Sequence, residues 1–439
     1  MRIAMVSEHA SPLAVSGGPG AGTGLGGADA GGQNVHVRSL ALALGAMGHE
    51  VVVHTRRTDP VTPQHVALAP GVVVDHVPAG PPAPLPKDDL LEHMGEFGAV
   101  LEARWDPAAP GGERPDVAHA HFWMSGLAAV AAGRAAGVPV VQTFHALGAV
   151  KRRHQGVEDT SPAERVARES DLGASVDRVL ATCSDEVGEL VALGVPADRV
   201  DVVPCGVDTA LFTPGSARRP GAPSRVRRVL TVSRLVPRKG VDTVVRALAA
   251  LGGTDGPVEL VVAGGPEPEL LAGDPEAHRL LALAGTLGVA DRVRLVGRVD
   301  QTALPELLRS ADAVACVPTY EPFGIVLLEA MACGIPVVAS AVGGLTDTVV
   351  DGVTGLHVPP SDPTATAAAL RALLDDPRRA GALGRAGRRR AEGYGWDRIA
   401  EATARVYRSV VETNGAAGCR LVEAGAAAPG PARGPGVAR

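Results

Sequence analysis

At 439 residues, 46% of them hydrophobic, the chain can bury a sizeable core and is too long for one typical domain, so two or three are expected. A formal net charge of −6 excludes the basic balance of a nucleic-acid-binding protein. Five cysteines, an odd number without a C-x-x-C pair, exclude a disulfide framework or a structural zinc site and fit a reducing, cytoplasmic compartment.

The apolar start at residues 2–6 is interrupted by Glu8 and His9, too soon for a secretory leader. No uninterrupted apolar run reaches membrane-spanning length; even the alanine-rich stretch at 126–141 carries Arg134, so no integral membrane segment is expected. A first strand is predicted over 2–7, followed by a glycine-rich loop over 16–32. A helix over 33–47 has Val35, Leu40, Leu44 and Met47 as its apolar positions, with Gly48 as its stop signal. Further strands are predicted at 51–54, 72–77, 116–120, 138–142, 179–182 and 200–203, with helical patterns at 88–104, 125–136 and 161–173. Such alternation predicts a parallel, doubly wound sheet.

The Gly- and Pro-rich segment 213–225 breaks the pattern and reads as a linker. The alternation then restarts. Strands are expected at 229–232, 259–263, 293–296, 313–317 and 336–339, and helices at 241–251, 275–287, 303–309, 325–333, 364–374 and 378–392. The predicted class is therefore α/β, with two tandem Rossmann-like domains over 1–212 and 226–395 whose parallel sheets face a cleft. A last helix over 396–412 is expected to pack back toward the first domain. The tail 413–439, rich in Gly, Ala and Pro, reads as disordered.

Open α/β sheets bind ligands beyond the carboxyl ends of their strands, and several stretches there carry chemistry. Gly22-Thr-Gly-Leu-Gly-Gly27 matches G-x-G-x-x-G, but it stands far from the first strand and does not open the helix. Arg56 and Arg57 after the second strand could suit a 2′-phosphate, so an NADP-dependent oxidoreductase stays open as an alternative. Gly31-Gly32-Gln33-Asn34 is better placed, since glycine at a helix N-terminus lets backbone N–H groups approach a diphosphate. Ser233-Arg-Leu-Val-Pro-Arg-Lys-Gly240 leaves the first strand of the second half; Arg234 and Lys239 flank a tight loop suited to a leaving diphosphate or, failing that, form a solvated basic turn. There is no Asp-x-Asp clamp, so cations are expected to replace a metal there, and no metal site is assigned.

The stretch Tyr320-Glu-Pro-Phe-Gly-Ile-Val-Leu-Leu-Glu-Ala-Met-Ala-Cys-Gly334 places Glu321 and Glu329 around a strand-to-helix turn. Phe323 and Gly324 fall at the helix start, and Ile325, Leu328 and Met331 form the expected buried stripe. Eight helical steps span about 12 Å, which disfavours a glycosidase-type carboxyl pair. Two separate grips on one ligand fit better. Only three lysines occur, Lys87, Lys151 and Lys239. His119, His121 and His145 read as structural or metal-directed, with the H-x-H at a strand end mostly structural.

The second half resembles retaining GT-B glycosyltransferases of family 4 (group 1). The shared motifs are S-R-x-x-x-x-K-G at 233–240, E-P-F-G-x-x-x-x-E at 321–329, Gly343-Gly344 with Asp351-Gly-Val-Thr-Gly355, and Pro204-Cys-Gly-Val-Asp208 with Phe212. The resemblance implies that Arg234 and Lys239 bind a donor diphosphate. It implies that Glu321, with backbone near Phe323, Gly324 and Ile325, contacts the donor sugar and that Glu329 binds the ribose. Arg298 and Val299 would flank the base, Gly31 and Gly32 would close over the phosphates, and His145 would reach the reacting end of the sugar.

Within that family the first domain is similar to the D-inositol-3-phosphate glycosyltransferases of mycothiol synthesis and to sucrose-phosphate synthases. The shared features are Ser11-Pro-Leu13, Asp29-Ala-Gly-Gly-Gln-Asn-Val35, Lys87-Asp-Asp-Leu90, His121-Phe-Trp-Met-Ser-Gly126, His145-Ala-Leu-Gly-Ala-Val-Lys151 and Asp159-Thr-Ser-Pro-x-x-Arg165. That similarity implies an acceptor site at Gln33, Asn34, Lys87, Lys151 and Arg165. The chain departs from the inositol-phosphate pattern at Gln33, Ala146 and the basic Lys151-Arg-Arg-His154.

The resemblance implies sugar transfer from a UDP-linked glucose or N-acetylglucosamine donor to a hydroxyl of a phosphorylated polyol or sugar. It implies retention and needs neither cofactor nor metal. An inactive nucleotide-sugar-binding GT-B protein is the other alternative, and a homodimer is allowed.

Overall fold

The computed structural model describes residues 1–15, 32–215, 226–251 and 256–426. Gly31, the Gly22–Gly27 motif, most of the linker and the last residues of the tail lie outside the described residues.

The first sheet contains β1 (Arg2–Val6), β2 (Glu50–Arg56), β3 (His65–Ala69), β4 (Val72–Val77), β5 (Val117–His121), β6 (Val140–Thr143), β7 (Arg178–Ala181) and β8 (Val200–Val202). Its order is β3-β4-β2-β1-β5-β6-β7-β8. The second sheet contains β9 (Arg227–Val232), β10 (Val258–Ala263), β11 (Val293–Gly297), β12 (Ala313–Cys316), β13 (Val337–Ser340) and β14 (Leu356–Val358), in the order β11-β10-β9-β12-β13-β14. The pairings are parallel, as the alternation of strand and helix requires, with one exception. β3 pairs antiparallel with β4 at the sheet edge, through a turn at Gly71 whose φ of 74° suits glycine. β3 buries little along its length, with no buried residue, and β14 has only three residues, so both escape sequence reading.

Strand order reverses between β1 and β5 in the first sheet and between β9 and β12 in the second. At each reversal the flanking crossovers go to opposite sides and leave a crevice beyond the strand ends. The chain leaving β1 carries Glu8 and His9; β5 ends at His121 and β6 leads to His145. In the second sheet the corresponding loops are 233–240 after β9 and 317–324 after β12. The topology thus delivers the polar motifs to two crevices.

The cores obey the expected periods. Ile3, Met5, Val37, Leu40, Leu44 and Val53 are buried in one cluster under the helix Gly32–Ala46. His36 and Asn34 are also buried on that helix, while Met47 is 39% exposed beyond its end. The helix Trp396–Ala426 contributes Ile399, Ala400, Ala404 and Tyr407 to the same cluster, so the end of the chain returns to the first sheet. This helix does not stop at 412 but runs through Ala426. The predicted helix over 88–104 begins instead as a 3-10 turn, Lys87–His93, before the α-helix Met94–Trp105.

Candidate active site

The second-domain half of the site is built on a helix start. Gly324, with φ 82°, is the N-cap of the helix Ile325–Ala332. A Cβ there would lie 2.3 Å from Leu345 Cδ2, so both the backbone angle and the space demand glycine. The loop before it rests on Gly343 and Gly344. Their added Cβ atoms would approach the carbonyl oxygens of Glu321 and Pro322 to 2.3 and 2.2 Å, and the Gly344 N–H donates to the Glu321 carbonyl at 3.0 Å. Thr348 Oγ1 donates to the Phe323 carbonyl at 3.1 Å. The glycine pair therefore acts as a shelf that fixes Glu321.

Lys239 forms an ion pair and hydrogen bond with Glu321 across that loop, both side chains being mostly buried. Lys239 closes a short 3-10 turn, Pro237–Lys239, ended by Gly240 at φ 68°. A Cβ at Gly240 would press within 2.1 Å of the Val317 carbonyl, so the turn must lie hard against the end of β12. Burial alone would raise the Glu321 carboxyl. The Lys239 ammonium and its hydrogen bond, with the Arg238 and Arg234 guanidiniums, outweigh this and hold it below its usual range. Glu321 is thus a buried carboxylate gathered among three cations. Arg238, which the motif reading passed over, is one of them; burial lowers its own pKa.

Glu329 has a different setting. It is 4% exposed, on the face of the helix turned inward with Leu328 and Met331, and its carboxylate accepts from Gln301 Nε2 at 2.7 Å. Burial pushes its pKa up to about 7, with the Gln301 bond acting in the opposite sense. Gln301 follows β11 without any motif around it, and nothing in the sequence marks it. Ile325 is half-buried rather than part of the buried stripe, and its Cδ1 lies 3.3 Å from where a Cβ on Gly32 would stand. The first domain's helix start therefore meets the second domain's helix start. Arg298 bonds Glu267 at 3.1 Å and its N–H donates to the Pro266 carbonyl, next to Val299. Phe323 is buried in the second-domain core, so only its backbone is offered to a ligand.

The first-domain half gathers cations on an aromatic ring. Lys87 Nζ lies 3.8 Å from the Phe122 ring centroid and the Arg165 guanidinium 5.0 Å from it. Arg165 is buried, donating to Glu169 at 2.7 Å, Ser161 Oγ at 3.2 Å and the Ala146 carbonyl at 2.6 Å. Lys151 donates to the same Ser161 Oγ at 2.9 Å and pairs with Asp159 at 3.0 Å. Lys87, Lys151 and Arg165, 78 residues apart at the extremes (165 − 87), thus form one basic patch around Ser161 and Phe122. Glu8, not picked out from sequence, is buried beneath it, bonded to His9 Nδ1 at 2.7 Å and to Ser125. Burial raises its pKa, but His9, Ser125 and Lys87 together bring it below the ordinary value. Gln33 donates to the His121 carbonyl at 3.3 Å and Asn34 to the Ser11 carbonyl at 3.1 Å; both are tied to the cleft wall.

His145 has φ 60° and Phe122 φ 88°, left-handed conformations that cost L-residues energy and mark the ends of β6 and β5. His145 Nε2 and His121 Nδ1 are 3.0 Å apart, and His119 bonds Thr143 Oγ1 at 2.9 Å and Tyr407 at 2.6 Å. Burial lowers the pKa of all three. His119 is structural, joining β5 to the C-terminal helix.

The two halves touch directly. Asp347 accepts from the Ser184 N–H and its hydroxyl, both at 2.6 Å, capping the first-domain helix Ser184–Ala192 from the second domain. Tyr320 stacks on His154 at 5.1 Å.

A cleft between two doubly wound sheets, cationic on both walls, with carboxylates at a glycine-supported helix start, is the arrangement of a GT-B sugar-transferring enzyme. Residues 216–390 match the family model for glycosyl transferases group 1 and residues 30–211 that for glycosyltransferase family 4. The chain belongs to this family and is a glycosyltransferase.

Among its relatives, the D-inositol 3-phosphate glycosyltransferase of Acidothermus cellulolyticus is 41% identical, over 93% of this chain and 90% of that one. The D-inositol 3-phosphate glycosyltransferase 1 of Catenulispora acidiphila is also 41% identical, over 94% and 96%. The structure of sucrose-phosphate synthase from Thermosynechococcus elongatus superposes with a TM-score of 0.82 at 32% identity, covering 94% of this chain and 99% of that chain. The Anabaena Alr3699/HepE protein, in complex with UDP and glucose, shares the fold at a TM-score of 0.67 and 19% identity, over 93% and 100% of the two chains. Among the described residues, no helix is long and apolar enough to cross a membrane.

Proposed function

We propose that this glycosyltransferase moves glucose or N-acetylglucosamine from a UDP-linked donor to a hydroxyl of a phosphorylated polyol or sugar, with retention at the anomeric carbon. The observation that carries the proposal is the buried Lys239–Glu321 pair at the second sheet's reversal, with Arg234 and Arg238 around it. A diphosphate arriving there meets cations already held in place, so charge developing on the leaving group is stabilised without reorganisation. Glu321 keeps acceptor lone pairs for sugar hydroxyls, and Glu329 has an inward carboxyl suited to the ribose. Gly32 closes over the phosphates from the opposite wall, with Gly31 beside it in sequence. Arg298 and Val299 flank the base.

The acceptor occupies the domain over 1–212 and the donor the domain over 226–395, joined by 213–225. Lys87 and Lys151 hold the acceptor's phosphate, with Gln33 and Asn34 shaping the adjacent wall. Arg165 positions Lys151 through Ser161 and shares the Phe122 ring with Lys87, and its guanidinium is otherwise committed to Glu169 and the Ala146 carbonyl. The bond from the anomeric carbon to the diphosphate breaks as the acceptor oxygen attacks from the same face. The acceptor proton passes to the leaving phosphate oxygen. His145 packs near the reacting end. Cationic side chains supply the charge that a metal supplies elsewhere, so this step requires no ion and no cofactor.

The 41% and 40% identical relatives named for D-inositol 3-phosphate support the phosphorylated acceptor. Family membership leaves the oxidoreductase alternative without support. UDP- and GDP-sugars screened against phosphorylated and free polyols, read by mass spectrometry, test the proposal. Product is expected with a UDP-sugar and a phosphorylated acceptor. UDP binding without product in any combination would leave a sugar-binding protein instead.

A further inference from the structure

We propose that His36, His121 and His145 form a capture site for one divalent first-row transition-metal ion, Zn2+ foremost, and that its occupancy silences sugar transfer by taking His145 out of the sugar site. The second half of this statement rests on the position proposed above for His145; the first half does not.

One ring nitrogen from each of the three histidines lies within 4.8 Å of the other two. A tetrahedral zinc ion with Zn–N bonds of about 2.0–2.1 Å holds its nitrogens about 3.4 Å apart, so small side-chain rotations complete the triangle. His121 Nδ1 and His145 Nε2 already stand 3.0 Å apart. His121 Nε2 is buried without a hydrogen-bond partner, so the ring is not tied down at that end and can turn toward a shared ion. His36 Nδ1 is held by Cys205 Sγ at 3.3 Å, and its ring packs edge-on against Trp396, so the imidazole is fixed in place. Three imidazole nitrogens are the protein donor set of a three-ligand zinc site, and nitrogen donors select against Mg2+ and Ca2+.

The site is distinct from the diphosphate site, which is on the other wall and is made of cations. His36 lies on the helix Gly32–Ala46, contacts His121 and His145 through its ring, and has no role in the transfer proposed above. It is therefore the residue that separates metal capture from catalysis.

The experiment is equilibrium dialysis of the chelator-stripped full chain against Zn2+, with metal content measured, beside titration with Co2+ followed by its visible ligand-field absorption. Wild type is expected to hold one ion per chain with tetrahedral Co2+ bands. His36→Gln is expected to bind at least tenfold more weakly while keeping its metal-free turnover. Added Zn2+ should inhibit wild type and spare His36→Gln. His36→Phe, which keeps the ring packing and loses both nitrogens, serves if His36→Gln does not fold. No bound Zn2+ in wild type, octahedral Co2+ bands, or a His36 variant that binds Zn2+ as tightly as wild type overturns the site. Stoichiometric binding with unchanged turnover overturns the silencing role and leaves the site standing. Absence of any metal-free turnover instead counts against the transfer proposal.

Discussion

The two walls of the cleft solve the same problem by different means. The second-domain wall is electrostatic: Lys239, Arg234 and Arg238 surround Glu321 on a shelf of glycines, and every part comes from three short loops and the helix start at Gly324. The first-domain wall is a packed aromatic and imidazole surface. Phe122 carries Lys87 and Arg165, and four histidines pack against one another nearby in the fold, drawn from β5, from the helix Gly32–Ala46 and from the residue after Phe144. The difference teaches what each wall can tolerate. A wall built from contiguous loops fails when one charge or one glycine changes. A wall assembled from distant residues shares its load and changes selectivity before it fails.

The largest effect is expected from Lys239→Ala. Loss of the cation should lower kcat/KM by roughly 10^3-fold, about 4 kcal/mol of transition-state stabilisation, and weaken UDP binding in calorimetry. A change below tenfold would take the diphosphate away from this wall. Gly344→Val comes next. Its side chain must displace the Pro322 carbonyl, which a Cβ alone would meet at 2.2 Å, and such overpacking costs about 1–3 kcal/mol. A lowered melting temperature together with lost UDP binding is expected; an unshifted melt would show that the shelf yields.

Glu329 sharpens the comparison through pH. Its folded-state pKa is raised to about 7 from 4.5. Between those values the folded chain holds a proton that the unfolded chain has released, so stability falls as pH rises from about 4.5 to about 7. At 1.36 kcal/mol per unit the penalty above pH 7 approaches about 3 kcal/mol. Glu329→Gln should therefore melt higher than wild type at pH 8 and no higher near pH 4, while binding the donor more weakly at pH 8. Wild-type donor affinity should decline as pH falls below 7, because a protonated carboxyl loses acceptor capacity. A pH-independent difference between the two proteins would contradict this reading.

The smallest effect belongs to the contact between the walls. Ser184→Ala removes one of the two bonds to Asp347, a loss of about 1 kcal/mol comparable to that of a helix cap. A severalfold rise in donor KM with little change in melting temperature is expected. Unchanged kinetics would mean that closure does not depend on this cap.

The same contrast explains what could be read from the sequence. Strand–helix alternation exposed both sheets, and the contiguous motifs at 233–240 and 321–329 led to the second-domain wall with Lys239, Glu321 and Gly324, where the donor is proposed to bind. Arg238 stood in plain view within the first motif but carried no assigned task. Gln301 and Glu8 could not be found, because their significance comes only from tertiary partners, Glu329 and the His9–Ser125 pair. Lys87, Lys151 and Arg165 were reachable through family resemblance alone, since no local spacing predicts that Arg165 meets Lys151 at Ser161 and Lys87 over Phe122. The imidazole cluster was half visible: His121 and His145 sit at strand ends, but His36 looks like any buried helix residue until the fold turns it toward them. The antiparallel β3 was missed because an edge strand buries too little to impose a pattern.

The most direct test of a donor wall facing an anion-binding acceptor wall is UDP release from a UDP-sugar, measured with a phosphorylated polyol and with its dephosphorylated form, in wild type and Lys87→Ala. The account predicts that wild type strongly prefers the phosphorylated acceptor and forms one glycosylated product per UDP, and that Lys87→Ala loses the preference. Release that ignores the acceptor's phosphate in wild type, or a preference that survives in Lys87→Ala, would contradict it.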